Sequence, residues 1–126
     1  VISHISQIGV YVSDQDEALR FYTEKLGFEV RELQEGSGFK WIEVAPPGAQ
    51  TTISLATKDF PVGEKSKVGR YTDIAFETED IQAMYETYRE RGVRFTKEPE
   101  LQPYGKWFAA FLDQDGNEFF VFQPER

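Results

Sequence analysis

The chain has 126 residues, a formal net charge of −8 and no cysteine. Its length suits one compact domain with a sizeable core, and its acidic balance excludes the basic stripe that nucleic-acid phosphates require. The missing thiols exclude disulfides, thiolate metal centres and a cysteine nucleophile, and no stretch approaches the roughly 20 apolar residues of a membrane span.

Residues 5 to 12 alternate, with Ile8, Val10 and Val12 on one face and Gln7, Gly9 and Tyr11 on the other, which predicts a strand covered on one side by a helix. Asp14 with Glu17 three residues later predicts a capping box of structural purpose. The following helix buries Ala18, Leu19, Tyr22 and Leu26 and stops at Gly27. A strand from Phe28 to about Leu33 is broken by Glu35-Gly36-Ser37-Gly38. Strands over 39–45 and 51–56 then flank a turn at Pro46-Pro47-Gly48. The polar, aperiodic segment 57–69 reads as a linker. After it come a strand, a helix opening at Asp80 with Ile81, Met84, Tyr85 and Tyr88 as its stripe and Gly92 as its end, and strands over 93–97, 106–112 and 118–123. Asp115-Gly116 supplies the last hairpin turn; Asp113 and Asp115 lack the twelve-residue loop and terminal Glu of a calcium site.

The second half repeats the first. Thr72-Asp73-Ile74-Ala75-Phe76-Glu77-Thr78-Glu79-Asp80 matches the pattern of Ser6-Gln7-Ile8-Gly9-Val10-Tyr11-Val12-Ser13-Asp14 at an offset of 66, the distance from Ser6 to Thr72. The same offset carries Lys40-Trp41 onto Lys106-Trp107 and Thr52-Ile53-Ser54-Leu55 onto Glu118-Phe119-Phe120-Val121. The repeat predicts two βαβββ modules, one over about 5–56 and one over about 70–124, within a single α+β domain of 1–126.

This duplication, with Phe21-Tyr22, Leu26-Gly27-Phe28 and Asp113-Gln114-Asp115-Gly116-Asn117 in their places, resembles the vicinal oxygen chelate superfamily. That group contains glyoxalase I, extradiol dioxygenases, and fosfomycin- and bleomycin-resistance proteins. The resemblance implies cupped mixed sheets, a homodimer, and in the enzymes a divalent metal whose ligands sit mid-strand in the first and last strands of each module. Carried over, those places are Gln7, Ser54, Asp73 and Phe120. The usual pattern there is His or Gln, Glu, His and Glu, and the chain departs from it at three of the four. Phe120 has no lone pair and the Ser54 hydroxyl is a poor substitute for a carboxylate, so no metal or other cofactor is expected. His4, the single histidine, lies an odd number of residues from Gln7 and points away from the cup.

Three readings stay open. In the first, the chain is a small-molecule binding protein of the bleomycin-resistance kind, whose members hold a drug without a catalytic metal. Gln7, Tyr11, Trp41, Ser54, Asp73, Trp107, Phe120 and Phe122 would line a site for an apolar or aromatic ligand. In the second it is a glyoxalase-like lyase, isomerase or dioxygenase. Such an enzyme would hold magnesium or manganese through Gln7, Asp73, Glu77 and Glu118, or use Glu43 or Asp73 as acid or base. The third is a structural dimer module. No serine triad or phosphate-binding glycine loop offers another chemistry. The first residues lack a basic region followed by an apolar core, so a cytoplasmic location is expected, with neither membrane nor nucleic acid as partner.

Overall fold

The computed structural model describes residues 1–36, 39–57, 69 and 71–124. The chain divides into two compact units, Val1–Gly69 and Arg70–Arg126. Most of the expected linker, 58–68, lies outside the described residues, as do Ser37 and Gly38 of the expected break.

In the first unit, β1 (Gln7–Tyr11) leads to α1 (Gln15–Arg20), and β2 (Glu29–Gly36), β3 (Phe39–Ala45) and β4 (Thr52–Ala56) complete a four-stranded sheet in the order β1-β4-β3-β2. β1 and β4 run parallel and the remaining pairs antiparallel. Strand alternation sends Val10, Val12, Ile42, Val44, Ile53 and Leu55 to one face, where they are all but fully buried with Ala18 and Tyr22 of the helical segment. The Asp14 carboxylate accepts from Glu17 N–H at 2.9 Å, so one side of the expected box forms the N-cap.

The helix does not continue regularly to Gly27. Phe21–Lys25 form a π turn, with Leu26 N–H donating to the Phe21 carbonyl at 3.2 Å. Phe21 and Tyr22, at the start of this turn, are both buried, while Leu19, in the regular helix before it, is only half-buried. Gly27, at φ 79°, then ends the helix as expected. Gln15 holds the helix to the sheet through one amide nitrogen, which donates to Lys40 O at 2.8 Å and Leu55 O at 2.7 Å.

Lys40 Nζ also reaches Asp16 at 2.8 Å. Hydrogen bonding to Lys40 holds the Asp16 carboxyl below its ordinary value, and the same bond raises the Lys40 ammonium. The Asp16 contribution to stability is therefore present above the unfolded carboxyl pKa of ~3.9 and lost as pH falls through the folded value. The Lys40 contribution is full below ~10.4 and lost as pH rises through its raised value. Asp16→Asn is expected to flatten both limbs of a plot of urea midpoint against pH; a plot parallel to wild type at both ends would refute the coupling.

The second unit repeats the arrangement with β5 (Tyr71–Glu77), α2 (Ile81–Glu90), β6 (Arg94–Leu101), β7 (Trp107–Leu112) and β8 (Glu118–Gln123) in the order β5-β8-β7-β6. Each unit is thus a βαβββ module with a four-stranded mixed sheet, as the repeat predicts. Asp80 caps α2 by accepting from Ala83 N–H at 3.0 Å, and Gln123 Oε1 accepts from Ile81 N–H at 2.7 Å. Beneath α2, Phe111 and Phe119 are buried in a ring cluster with Phe76, Phe95 and Tyr88. No helix among the described residues is long and apolar enough to cross a membrane.

Candidate functional site

In each module one face of the sheet is turned away from the helix. On the first sheet, register assigns this face to Gln7, Gly9 and Tyr11 of β1, Thr52 and Ser54 of β4, Trp41 and Glu43 of β3, and Glu32 and Gln34 of β2. Glu43 is its organising residue. One carboxylate oxygen accepts from Trp41 Nε1 at 2.6 Å and the other from the Thr52 hydroxyl at 2.6 Å, which fixes both the indole and the carboxylate. Both side chains remain half-exposed. Glu32 stands directly across from Glu43, with its oxygen accepting from Gln34 Nε2 at 2.5 Å. Sequence reasoning reached Gln7, Tyr11, Trp41, Ser54 and Glu43 but missed Thr52, Glu32 and Gln34. The bulge between Val30 and Glu32 breaks the alternation that would have revealed the last two.

The open face of the second sheet is aromatic. Phe120 and Phe122 of β8 lie on it with Phe108 of β7, their ring centroids 5.5 and 5.3 Å from that of Phe108. Trp107 does not join them. Pairing of Trp107 with Gln123 and of Ala109 with Val121 puts the tryptophan on the parity of the helix-covered face, where it is exposed at the strand end. The expected equivalence of Trp41 and Trp107 therefore fails by one residue: Glu43 pairs with Ser54, whereas Ala110 pairs with Phe120, so Phe108 occupies the place of Trp41. The two Lys-Trp pairs of the sequence thus lie one position out of structural register, and the alternation of Phe111 and Ala109 into the core was the available signal.

The second unit also corrects the expected strand faces around Asp73. Tyr71 pairs with Glu118 and Ala75 with Phe120, so β5 carries an irregularity that contains Asp73, at φ 60°. Alternation does not run from Asp73 to Glu77 across this break. Left-handed backbone is open to Asp but strained for β-branched residues. Asp73→Val is expected to cost about 1–2 kcal/mol despite the exposure of the side chain, with Asp73→Gly within about 0.5 kcal/mol of wild type. Equal urea midpoints for the two variants would show that the backbone is unstrained.

The donor set does not fit the metal that the fold allows. Ser54 is buried beside Gly9, Phe120 offers only a ring, and Glu118 accepts a short hydrogen bond from the Thr96 hydroxyl. Among the described residues, no group of three or more His, Asp or Glu side chains is placed to hold an ion, Asp73, Glu77 and Glu118 included. His4 is exposed, with Nδ1 2.9 Å from the Ser3 hydroxyl.

Known proteins with this arrangement fall together. The solved structure of a glyoxalase/bleomycin resistance protein/dioxygenase superfamily member from Sphaerobacter thermophilus superposes with a TM-score of 0.89 at 41% identity, covering 98% of each chain. TnmS3 from Streptomyces sp. CB03234, an antibiotic binding protein, gives a TM-score of 0.84 at 36% identity, again over 98% of each chain. YetH of Bacillus subtilis is 38% identical over 122 residues, 96% of this chain and 98% of its own. The family model for the same superfamily matches residues 2–121, and the chain belongs to the glyoxalase/bleomycin resistance protein/dioxygenase superfamily.

Proposed function

We propose that the chain binds a small apolar or aromatic molecule, in the manner of an antibiotic-binding protein, without a catalytic metal. The observation that carries this reading is the chemistry at two places where enzymes of the fold have carboxylate ligands. Here one holds the buried Ser54 hydroxyl and the other the Phe120 ring, packed on Phe108. Aromatic walls with a few fixed polar groups are the usual lining of small-molecule sites. On the first sheet Trp41 supplies the aromatic surface and Glu43 the fixed polar group; the second sheet has an aromatic face of its own in Phe108, Phe120 and Phe122. The likeness to TnmS3 supports the same reading.

The test is titration of planar aromatic compounds into a Trp107→Phe variant, in which Trp41 is the sole tryptophan. Saturable quenching with a Kd on the order of micromolar is expected, weakened at least about tenfold by Trp41→Ala when followed by calorimetry. Elemental analysis of protein purified without chelator runs alongside. Stoichiometric divalent metal would overturn the metal-free reading in favour of the lyase or dioxygenase alternative, and no saturable binding across the compound set would overturn ligand binding itself.

A further inference from the structure

The open face of the first sheet carries two features that no described residue complements. The first is Ser54. Its side chain is more than nine-tenths buried, at 8% exposure, yet among the described residues its hydroxyl has no hydrogen-bond partner. It stands between Gly9 and Glu43 in the register, and a β-carbon added at Gly9 would lie 3.8 Å from Ser54 Oγ. The hydroxyl thus faces a place that glycine leaves open, where a ligand group could reach it.

The second is charge. Glu32 and Glu43 are direct cross-strand neighbours, an unfavourable pairing of like charges. Among the described residues neither forms an ion pair. The basic residues on the same two strands are turned elsewhere: Arg31 donates to the carbonyls of Pro46 and Ala49 and pairs with Glu29, and Lys40 pairs with Asp16 and Glu35. The donors on Glu43 are the neutral Trp41 indole and Thr52 hydroxyl, which orient the carboxylate without cancelling its charge. Among the described residues, what this face lacks is a cation with N–H groups, carried on a body that can lie against an indole.

We propose that the open face of the first sheet selects aromatic ligands bearing an ammonium group, which donates to Ser54 Oγ and the Glu43 carboxylate while its ring packs on Trp41. Glu32 adds the second negative charge. This assignment rests on the ligand-binding function proposed above and names its ligand class.

The experiment uses three probes of one shape, 2-naphthylmethylammonium, 2-naphthalenemethanol and 2-naphthoate, titrated by calorimetry into the full chain at neutral pH. The ammonium is expected to bind at least about tenfold more tightly than the alcohol, and the naphthoate most weakly. Glu43→Gln and Ser54→Ala are each expected to lower the ammonium-to-alcohol ratio at least about threefold, while Glu86→Gln, on α2, leaves it unchanged. Ser54→Ala carries a second readout: because no described residue hydrogen-bonds the hydroxyl, its removal is expected to leave the melting temperature unchanged or raised. Equal binding of ammonium and alcohol would overturn the proposal and leave the ligand-binding function standing. A ratio that survives both substitutions would overturn it too, assigning the preference to the net charge of −8. Absence of binding by all three probes would overturn both.

Discussion

Asp113→Ala is expected to cost about 2–4 kcal/mol, a large effect for one residue in a turn. The Asp113 side chain is 2% exposed and closes the β7–β8 hairpin from within. One carboxylate oxygen accepts from the backbone N–H groups of Asp115 and Asn117, both at 2.9 Å, and the other from Asn117 Nδ2 at 2.8 Å. Asn117 is itself 1% exposed, so its donors could not turn to water once the carboxylate is gone. Asp113→Asn keeps one acceptor oxygen but sets an amide N–H against the Asn117 amide, and an intermediate cost is expected. Urea denaturation measures both. A cost below about 0.5 kcal/mol for alanine would mean that water replaces the carboxylate.

Phe119→Ala and Phe120→Ala are expected to differ by about 2–3 kcal/mol, although the residues are adjacent. Phe119 is fully buried, its ring centroid 5.2 Å from that of Phe76 and 5.7 Å from that of Phe111, so truncation leaves a cavity worth about 3–5 kcal/mol. Phe120 is half-exposed on the opposite face, and its removal forfeits only part of a ring contact with Phe108. The comparison decides what the aromatic face of the second sheet is for. Equal costs would make Phe108, Phe120 and Phe122 a second core rather than a surface open to ligands. A small cost for Phe120→Ala, paired with weaker binding of planar compounds, is the expected result.

The duplicated architecture was legible because it rests on alternation and punctuation. Val10, Val12 and Val44 announce a covered face, Asp14 and Asp80 open helices, and Gly27 and Gly92 close them with positive φ. Site residues were legible only as far as alternation ran unbroken. It holds along β1, β3 and β4, so Gln7, Trp41, Glu43 and Ser54 fall on the open face as expected. It breaks at Arg31, at Asp73 and inside the π turn, where one added residue changes the face of every later position in the element. Trp107 was misassigned for a related reason: the offset of 66 set by the opening strands was carried unchanged onto Lys40-Trp41 and Lys106-Trp107, where the paired strands require one more. The unpartnered Ser54 hydroxyl and the Glu32–Glu43 opposition needed pairing between distant strands, and no local pattern reports it.

Each sheet joins its first strand to its last. Among the described residues, β1 hydrogen-bonds to β4 alone, and β5 to β8 alone, in parallel. On a ribosome, which releases the chain from its N-terminus, Gln7 must wait for Thr52 and Tyr71 for Glu118 before either strand has a neighbour. The helix and the hairpins between them can form as they emerge, but the opening strand of each module stays unpaired until the module is finished. The open face of the first sheet, which needs Gly9 beside Ser54, therefore comes into being only when the first module's last strand is in place. No nascent fragment ending before β4 can carry it.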